Sequence, residues 1–370
     1  MLFHFFSMKT NFESKKLEKK ENVDDHSNKS ELVGQTATEE KKSLSVAERE
    51  TRIVKCNEES ELQYVFVKPM ENKYWTSWKD ALLYEKGLQL MGESESQDAI
   101  LCFEALVGHP KNAKLPTNIQ LSDVWRMLGE CQMENECELL AIAAFEQCLK
   151  MNHNDVLAMV KLAMAYANEG DSNKVIHYLC MCLQRNGTYK QWLDRHHKTY
   201  PNEANANIAF ELIDLYLGIA VDEKETNVET HKILGVLYSV TTDFSKATDQ
   251  FKICVRLQPD NHALWNQLGA CLSNAGLFKS ALDAYQKAID RRPNYVRALT
   301  NMAVAHFNDK HFDTSCQYYL KALLQNPNAD VWEDFASTLR AANKGKIADL
   351  ILAYPEKRDI KQIWLLCIQH

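Results

Sequence analysis

A 34-residue period runs through the C-terminal half of the chain and limits what it can fold into. Pro259, Pro293 and Pro327 recur at that interval, as do Gly235, Gly269 and Ala303, then Ala247, Ala281 and Ser315, then Phe251, Tyr285 and Tyr319. Small and aromatic residues in fixed register, closing on a helix-stopping proline, describe one helical hairpin per repeat. A single hairpin cannot bury its apolar face, whereas stacked neighbours can. Composition agrees, because 12 Gly and 8 Pro in 370 residues are too few to punctuate a turn-rich all-β chain. With 45% hydrophobic and 25% charged residues, the chain has enough apolar side chains for a substantial core.

The register extends upstream. Gly87, Ala99 and Phe103 mark a first unit, Trp125, Leu128, Gly129, Ala141 and Phe145 a second, and Leu162, Ala163, Tyr166 and Val175 a looser third. Trp265, Leu268, Gly269, Ala281, Tyr285, Ala288 and Pro293 occupy the tetratricopeptide pattern, so Trp125 and Trp265 are expected in hairpin cores. The expected fold is all-α: a tetratricopeptide-repeat superhelix with a first set of three repeats over 64–186 and a second over 230–328. An irregular hinge is expected over 187–229, where the signature is lost, and a C-terminal helical cap over 329–370. Residues 1–63, mostly Lys, Glu, Ser, Asn and Thr without an aromatic between Phe12 and Tyr64, are expected to form a disordered N-terminal arm.

Several functions are disfavoured. The net charge is -7 and no Lys/Arg stripe carries interleaved aromatics, so nucleic acid is not an expected partner. No run approaches the roughly 18 apolar residues of a spanning helix, and Met1 to Phe6 lacks the basic region and cleavage site of a signal peptide. Eleven scattered cysteines without a C-x-x-C fit a reducing, cytoplasmic setting. No G-x-G-x-x-G, H-E-x-x-H or G-x-S-x-G is present, and Gly345-Lys346 lacks the rest of a phosphate loop. The expectation is a non-enzyme with no catalytic residue, no metal and no cofactor. His196-His197 reads as a solvated loop pair, and Cys367 to His370 as the end of a packed helix.

A binding function is read from the first helix of each hairpin, the face that lines the concave side. Asn266 and Asn274 are eight residues apart on one such helix. Asn301 and Asn308 are seven apart on the next, with Arg297 four residues before Asn301. Those spacings share a helical face. Asn168 takes the repeat position of Asn274 and Asn308, and Asn135 lies one position later. Asparagine is poorly suited to a helix interior. Its carboxamide, however, offers a donor and an acceptor, matching the C=O and N–H of an extended peptide whatever its side chains. Arg297 adds a fork suited to a carboxylate, with a surface pair to Asp290 as the alternative. The implied ligand is a peptide with a free C-terminus.

These residues resemble a known family, the receptor for the type-1 peroxisomal targeting signal. The resemblance runs from about Tyr64 to Asn328. It is carried by Met133 to Ile142, by Leu264 to Ala270, by Leu272-Ser273-Asn274, and by Tyr295-Val296-Arg297 followed by Asn301 and Asn308. It implies two sets of three repeats closed around the ligand by a C-terminal bundle. It also implies that Asn135, Asn168, Asn266, Asn274, Arg297, Asn301 and Asn308 hold the C-terminal Ser-Lys-Leu-type tripeptide of cargo proteins. Glu134 or Glu136 would add acidic potential near the tripeptide's basic residue. The resemblance further implies cycling between cytosol and peroxisome, with docking proteins of the peroxisomal membrane as partners. The family's Trp-x-x-x-Phe/Tyr docking motifs are not found, since neither Trp75 nor Trp78 has an aromatic four positions on. A related scaffold for channel C-termini and a chaperone-docking adaptor reading acidic tails are the other classes considered. The asparagine-rich face with Gln267 disfavours the adaptor.

Overall fold

The computed structural model describes residues 55–56, 61–79, 82–110, 113–201, 207–353 and 359–369. The expected disordered arm lies almost wholly outside them. Where it is described, Lys55–Cys56 and Glu61–Leu62 form a two-residue antiparallel pair.

The rest is helical. After a short 3-10 turn at Trp75–Lys79 come α1 (Leu83–Gly92) and α2 (Ser96–Val107), α3 (Leu121–Glu134) and α4 (Glu138–Met151), then α5 (Val156–Asn168) and α6 (Ser172–Arg185). Helices α7 (Gly187–Arg195) and α8 (Ile208–Asp222) follow. The second series is α9 (Val228–Val240) with α10 (Phe244–Leu257), α11 (His262–Asn274) with α12 (Phe278–Arg291), and α13 (Val296–Asn308) with α14 (Phe312–Gln325). Helices α15 (Trp332–Ala341), α16 (Gly345–Ala353) and α17 (Ile360–Gln369) end the described chain.

Each hairpin closes for a reason visible in the repeat. A Cβ on Gly129 would lie 2.6 Å from the Phe145 ring, and one on Gly269 would lie 2.5 Å from the Tyr285 ring. The small residue lets the two helices approach until the aromatic ring covers backbone. The turns share a second device that the sequence reading did not identify. Glu136 and Gly170, and then Thr242, Gly276 and Lys310, all have positive φ and stand 34 residues apart within each series. Only two of the five are glycine, so the turn is imposed by packing on residues that ordinarily avoid that conformation. Asp155, Asp171, Asp243 and Asn261 start their helices by accepting hydrogen bonds from backbone N–H groups in the first turn.

The stretch read as a hinge contributes to the same apolar core as the hairpins on either side. Tyr189, Trp192, Leu212 and Tyr216 are buried there, and Trp192 packs against Gly218. Tyr216 Oη donates to the Leu179 carbonyl at 3.1 Å, and Tyr189 Oη lies 3.0 Å from Thr230 Oγ1. His196 stacks on Trp192 and lies 3.0 Å from Asp222, and no cluster of three metal-ligating side chains occurs among the described residues. The last helices pack Phe335, Leu339, Ile347, Ile351 and Ile363 onto Tyr319 and Leu323 of α14.

Candidate functional site

The superhelix closes on itself. Helix α3 packs on α13 and α5 on α9, so the first helices of the two series face one another. At the point of closure, the α3–α4 corner, residues 133–138, is gripped by side chains from more than 120 residues away. Arg297, near the start of α13, donates from Nε and Nη2 to the Met133 carbonyl at 2.7 and 2.5 Å. Its Nη2 also meets Glu138 Oε2, and its Nη1 lies 3.6 Å from Glu136 Oε1. Asn326 donates to the Asn135 carbonyl at 2.6 Å and accepts from Gln97 at 2.8 Å. Arg292 pairs with Glu134 at 2.8 Å and donates to Ser96 Oγ at 2.9 Å, while His262 lies 3.0 Å from Glu134.

The seven residues singled out in the sequence divide into groups. Asn168, the last residue of α5, donates to Glu138 Oε1 at 2.7 Å, so Asn168 and Arg297 meet on the two oxygens of one carboxylate. Asn301 donates to Asn266 Oδ1 at 3.0 Å, joining α13 to α11, and both side chains are buried. Asn135 caps α3 and is 2% exposed, with its Nδ2 lacking a hydrogen-bond partner. Gln267 Oε1 is likewise buried without one, while Gln267 Nε2 reaches Met164 Sδ across the molecule at 3.8 Å. Buried amide atoms of this kind are uncommon and costly, and they suit a second polar chain better than they suit a core. Asn274 and Asn308 are the last residues of α11 and α13 and are half-buried. They lie eight and seven residues beyond Asn266 and Asn301, about 12 and 10 Å along the helix axes.

One alternative weighed in the sequence falls, and one placement differs. Arg297 is not in a surface pair with Asp290. It is 3% exposed and paired with Glu136 and Glu138, and Asp290 accepts instead from Gln286 at 2.7 Å. Trp125 is buried, but Trp265 is half-exposed, donating to the Pro259 carbonyl with Lys287 and Arg291 against its ring. The cations cover an indole face that packing leaves open.

Sequence reasoning named Arg297, Glu134 and Glu136 but missed their partners at the junction, Glu138, Arg292 and His262. Arg297 has no Asp or Glu within a helical turn of its own chain, so a buried position required a distant partner. Glu138 lay in the stretch that carried the resemblance, but nothing in its spacing separated it from Glu134 and Glu136. The three carboxyls have different surroundings. Burial would raise that of Glu134, but the His262 hydrogen bond and the Arg292 charge outweigh it and hold the acid below its usual range. For Glu138 burial wins: the acid is pushed up to about 7, with Arg297 and Asn168 opposing and Glu136 adding to the rise. One guanidinium here serves two buried carboxylates. Burial alone would lower the Arg297 pKa, but Glu136 and Glu138 together hold it protonated.

Comparison with known proteins finds the repeat and several relatives. The tetratricopeptide repeat family matches residues 262–295. The peroxisomal targeting signal receptor of Candida albicans is 29% identical over 81% of this chain and 50% of its own length. That of Eremothecium gossypii is 31% identical over 65% of this chain and 39% of its own. The PEX5-related protein of Rattus norvegicus is 30% identical over 52% of this chain and 32% of its own. A solved structure of MamA resembles the chain remotely, with a TM-score of 0.31 and 19% identity over 56% of this chain and 92% of that one. The chain spans half or less of the length of the two receptors and of the PEX5-related protein. By its repeats and by its identity to several receptors, it is similar to the tetratricopeptide-repeat part of peroxisomal targeting signal receptors.

Proposed function

We propose that the chain is a non-enzymatic receptor that captures cargo by an exposed C-terminal tripeptide of the Ser-Lys-Leu type and delivers it to peroxisomal import, cycling between cytosol and peroxisomal membrane. One observation carries this reading. Asn168 from the first series and Arg297 from the second converge on a single carboxylate, giving the closed superhelix a built carboxylate cradle at its junction. The asparagines of α11 and α13 continue from that cradle for about 10–12 Å, which three to four extended residues would span. Each amide contact to a peptide backbone contributes about 0.5–1.5 kcal/mol, and a charged contact to the terminal carboxylate about 1.5–3 kcal/mol. Once the ordering of a flexible tail is deducted, such contacts reach micromolar to nanomolar affinity only alongside apolar contacts to the peptide's side chains. No described helix is long and apolar enough to cross a membrane, so in this reading membrane contact passes through docking partners.

The test is fluorescence polarisation with a Ser-Lys-Leu-ended peptide and its amidated copy. The free acid is expected to bind at least about 10-fold more tightly, and Arg297→Ala to erase most of that difference. Equal binding of acid and amide would remove the carboxylate role. The alternative weighed from the sequence is a scaffold for the C-terminal tails of membrane channels. Preference for channel-derived tails over Ser-Lys-Leu in the same assay would select it.

A further inference from the structure

Glu138 opens α4 with a side chain that is 10% exposed, and it spends both carboxylate oxygens on residues placed in the peptide site. Oε1 takes the Asn168 amide at 2.7 Å and Oε2 takes Arg297 Nη2. Nε and the other Nη2 hydrogen reach the Met133 carbonyl, while Nη1 faces Glu136 at 3.6 Å, beyond hydrogen-bond range. With both Nη2 hydrogens spent, neither two-pronged edge of the guanidinium is open to a further carboxylate. A peptide's terminal carboxylate presents the same planar pair of oxygens to the same two donors. It cannot be added to this arrangement; it has to replace one member of it.

We propose that Glu138 is an intramolecular competitor for the ligand's terminal carboxylate, and that its release from Arg297 and Asn168 is the step that admits a free-acid tail. The proposal rests on the peptide-receptor reading above and adds a regulatory residue to that site. Other features of the corner make Glu138 the member that yields. The Met133 carbonyl is fixed by the backbone of α3. Glu136 holds a left-handed backbone conformation at φ 60 and faces Arg297 from farther away. Glu138 is the first residue of α4, and rotation about its side-chain torsions alone would part its carboxylate from both donors. Its acid is already pushed up to about 7 by burial and by Glu136, so the ionised form is held at a cost that release relieves.

The experiment measures binding of a Ser-Lys-Leu-ended peptide and its amide to the full chain and to Glu138→Gln, Glu138→Asp and Glu136→Gln. Loss of one charge-assisted competitor should tighten the free acid about 10-fold in Glu138→Gln. The amide, which does not claim the guanidinium charge, should shift less than about twofold on the same reasoning. Glu138→Asp keeps the charge on a shorter arm that cannot bridge both donors, and it should fall between the wild type and the glutamine variant. It also decides the matter if the glutamine variant does not fold. A wild type that prefers the free acid while Glu138→Gln binds it no better, or worse, overturns the competitor and makes Glu138 a fastener of the closed superhelix, leaving the receptor reading intact. Equal gains from Glu136→Gln and Glu138→Gln overturn it in favour of a diffuse negative field. A wild type indifferent to amidation removes the receptor reading and this proposal with it.

Discussion

At Gly129 and again at Gly269, the first helix of a hairpin lies against an aromatic ring of the second, and the same contact recurs at Gly87 and Gly235. Between α3 and α13 nothing recurs. One arginine holds one corner by a carbonyl and two acids, and an asparagine 191 residues from Asn135 takes that corner's carbonyl. The hairpin stack is apolar, local and redundant, so each contact is supported by copies of itself. The closure is polar and distant, and each of its bonds is made once. The difference separates two tasks. Burial of repeated apolar surface supplies stability, while the unique, partly unsatisfied polar groups are where the proposed peptide would substitute its own hydrogen bonds.

Removing a repeated aromatic should give the largest effect on folding. Phe145→Ala, at a fully buried position over Gly129, is expected to cost about 3–5 kcal/mol in denaturant unfolding while sparing peptide affinity in the folded fraction. A loss below about 1 kcal/mol would mean that the stack tolerates voids and is not the stabilising region. Arg297→Ala tests the other side. It strands two buried acids, and because Glu138 protonates readily the cost should lie near the low end, about 3 kcal/mol, accompanied by loss of the free-acid preference. A stable variant with an intact preference would place the carboxylate elsewhere.

Two acids of the same corner should titrate in opposite senses. Glu138 is raised to about 7 from an ordinary value near 4.3, so the folded chain holds the extra proton between those limits. Its contribution to stability therefore falls as pH rises through that window and is level above it. Glu134 is lowered, so its contribution is present at neutral pH and is lost as pH falls through its depressed value. Urea unfolding from pH 4 to 8 should show Glu138→Gln gaining on the wild type as pH rises. Glu134→Gln should be destabilised throughout that range and converge on the wild type only when the series is carried below about pH 4. Parallel profiles would contradict the division of charge at the junction.

Smaller effects sharpen the contrast. Asn274→Asp, half-buried at the end of α11, should weaken a free-acid peptide about 10-fold through repulsion, with the amide less affected. Asn186→Ala removes the cap that accepts from Thr188 and Tyr189 N–H at the start of α7. It should cost about 1 kcal/mol in unfolding without changing peptide affinity.

The two regions were unequally legible in the sequence. Gly129 with Phe145 and Gly269 with Tyr285 recur in register, so periodicity alone exposed the hairpins and their cores. Asn168, Asn274 and Asn308 could be found for the same reason: each occupies the last position of a first helix. Glu138, Arg292 and Asn326 repeat nowhere, and their partners are set by how far the superhelix turns before it meets itself. That turn is the sum of many small packing angles. Thr242 and Lys310 were hidden for a related cause, because their left-handed turns are enforced by neighbouring helices and not announced by glycine.

A crystal structure of the chain with a free-acid Ser-Lys-Leu peptide tests the central claim most directly. The account predicts the terminal carboxylate on Arg297 and Asn168, Glu138 turned away, and the peptide backbone running along Asn266 and Asn301 toward Asn274 and Asn308. A peptide bound elsewhere, with Glu138 still joined to both Arg297 and Asn168, would contradict it.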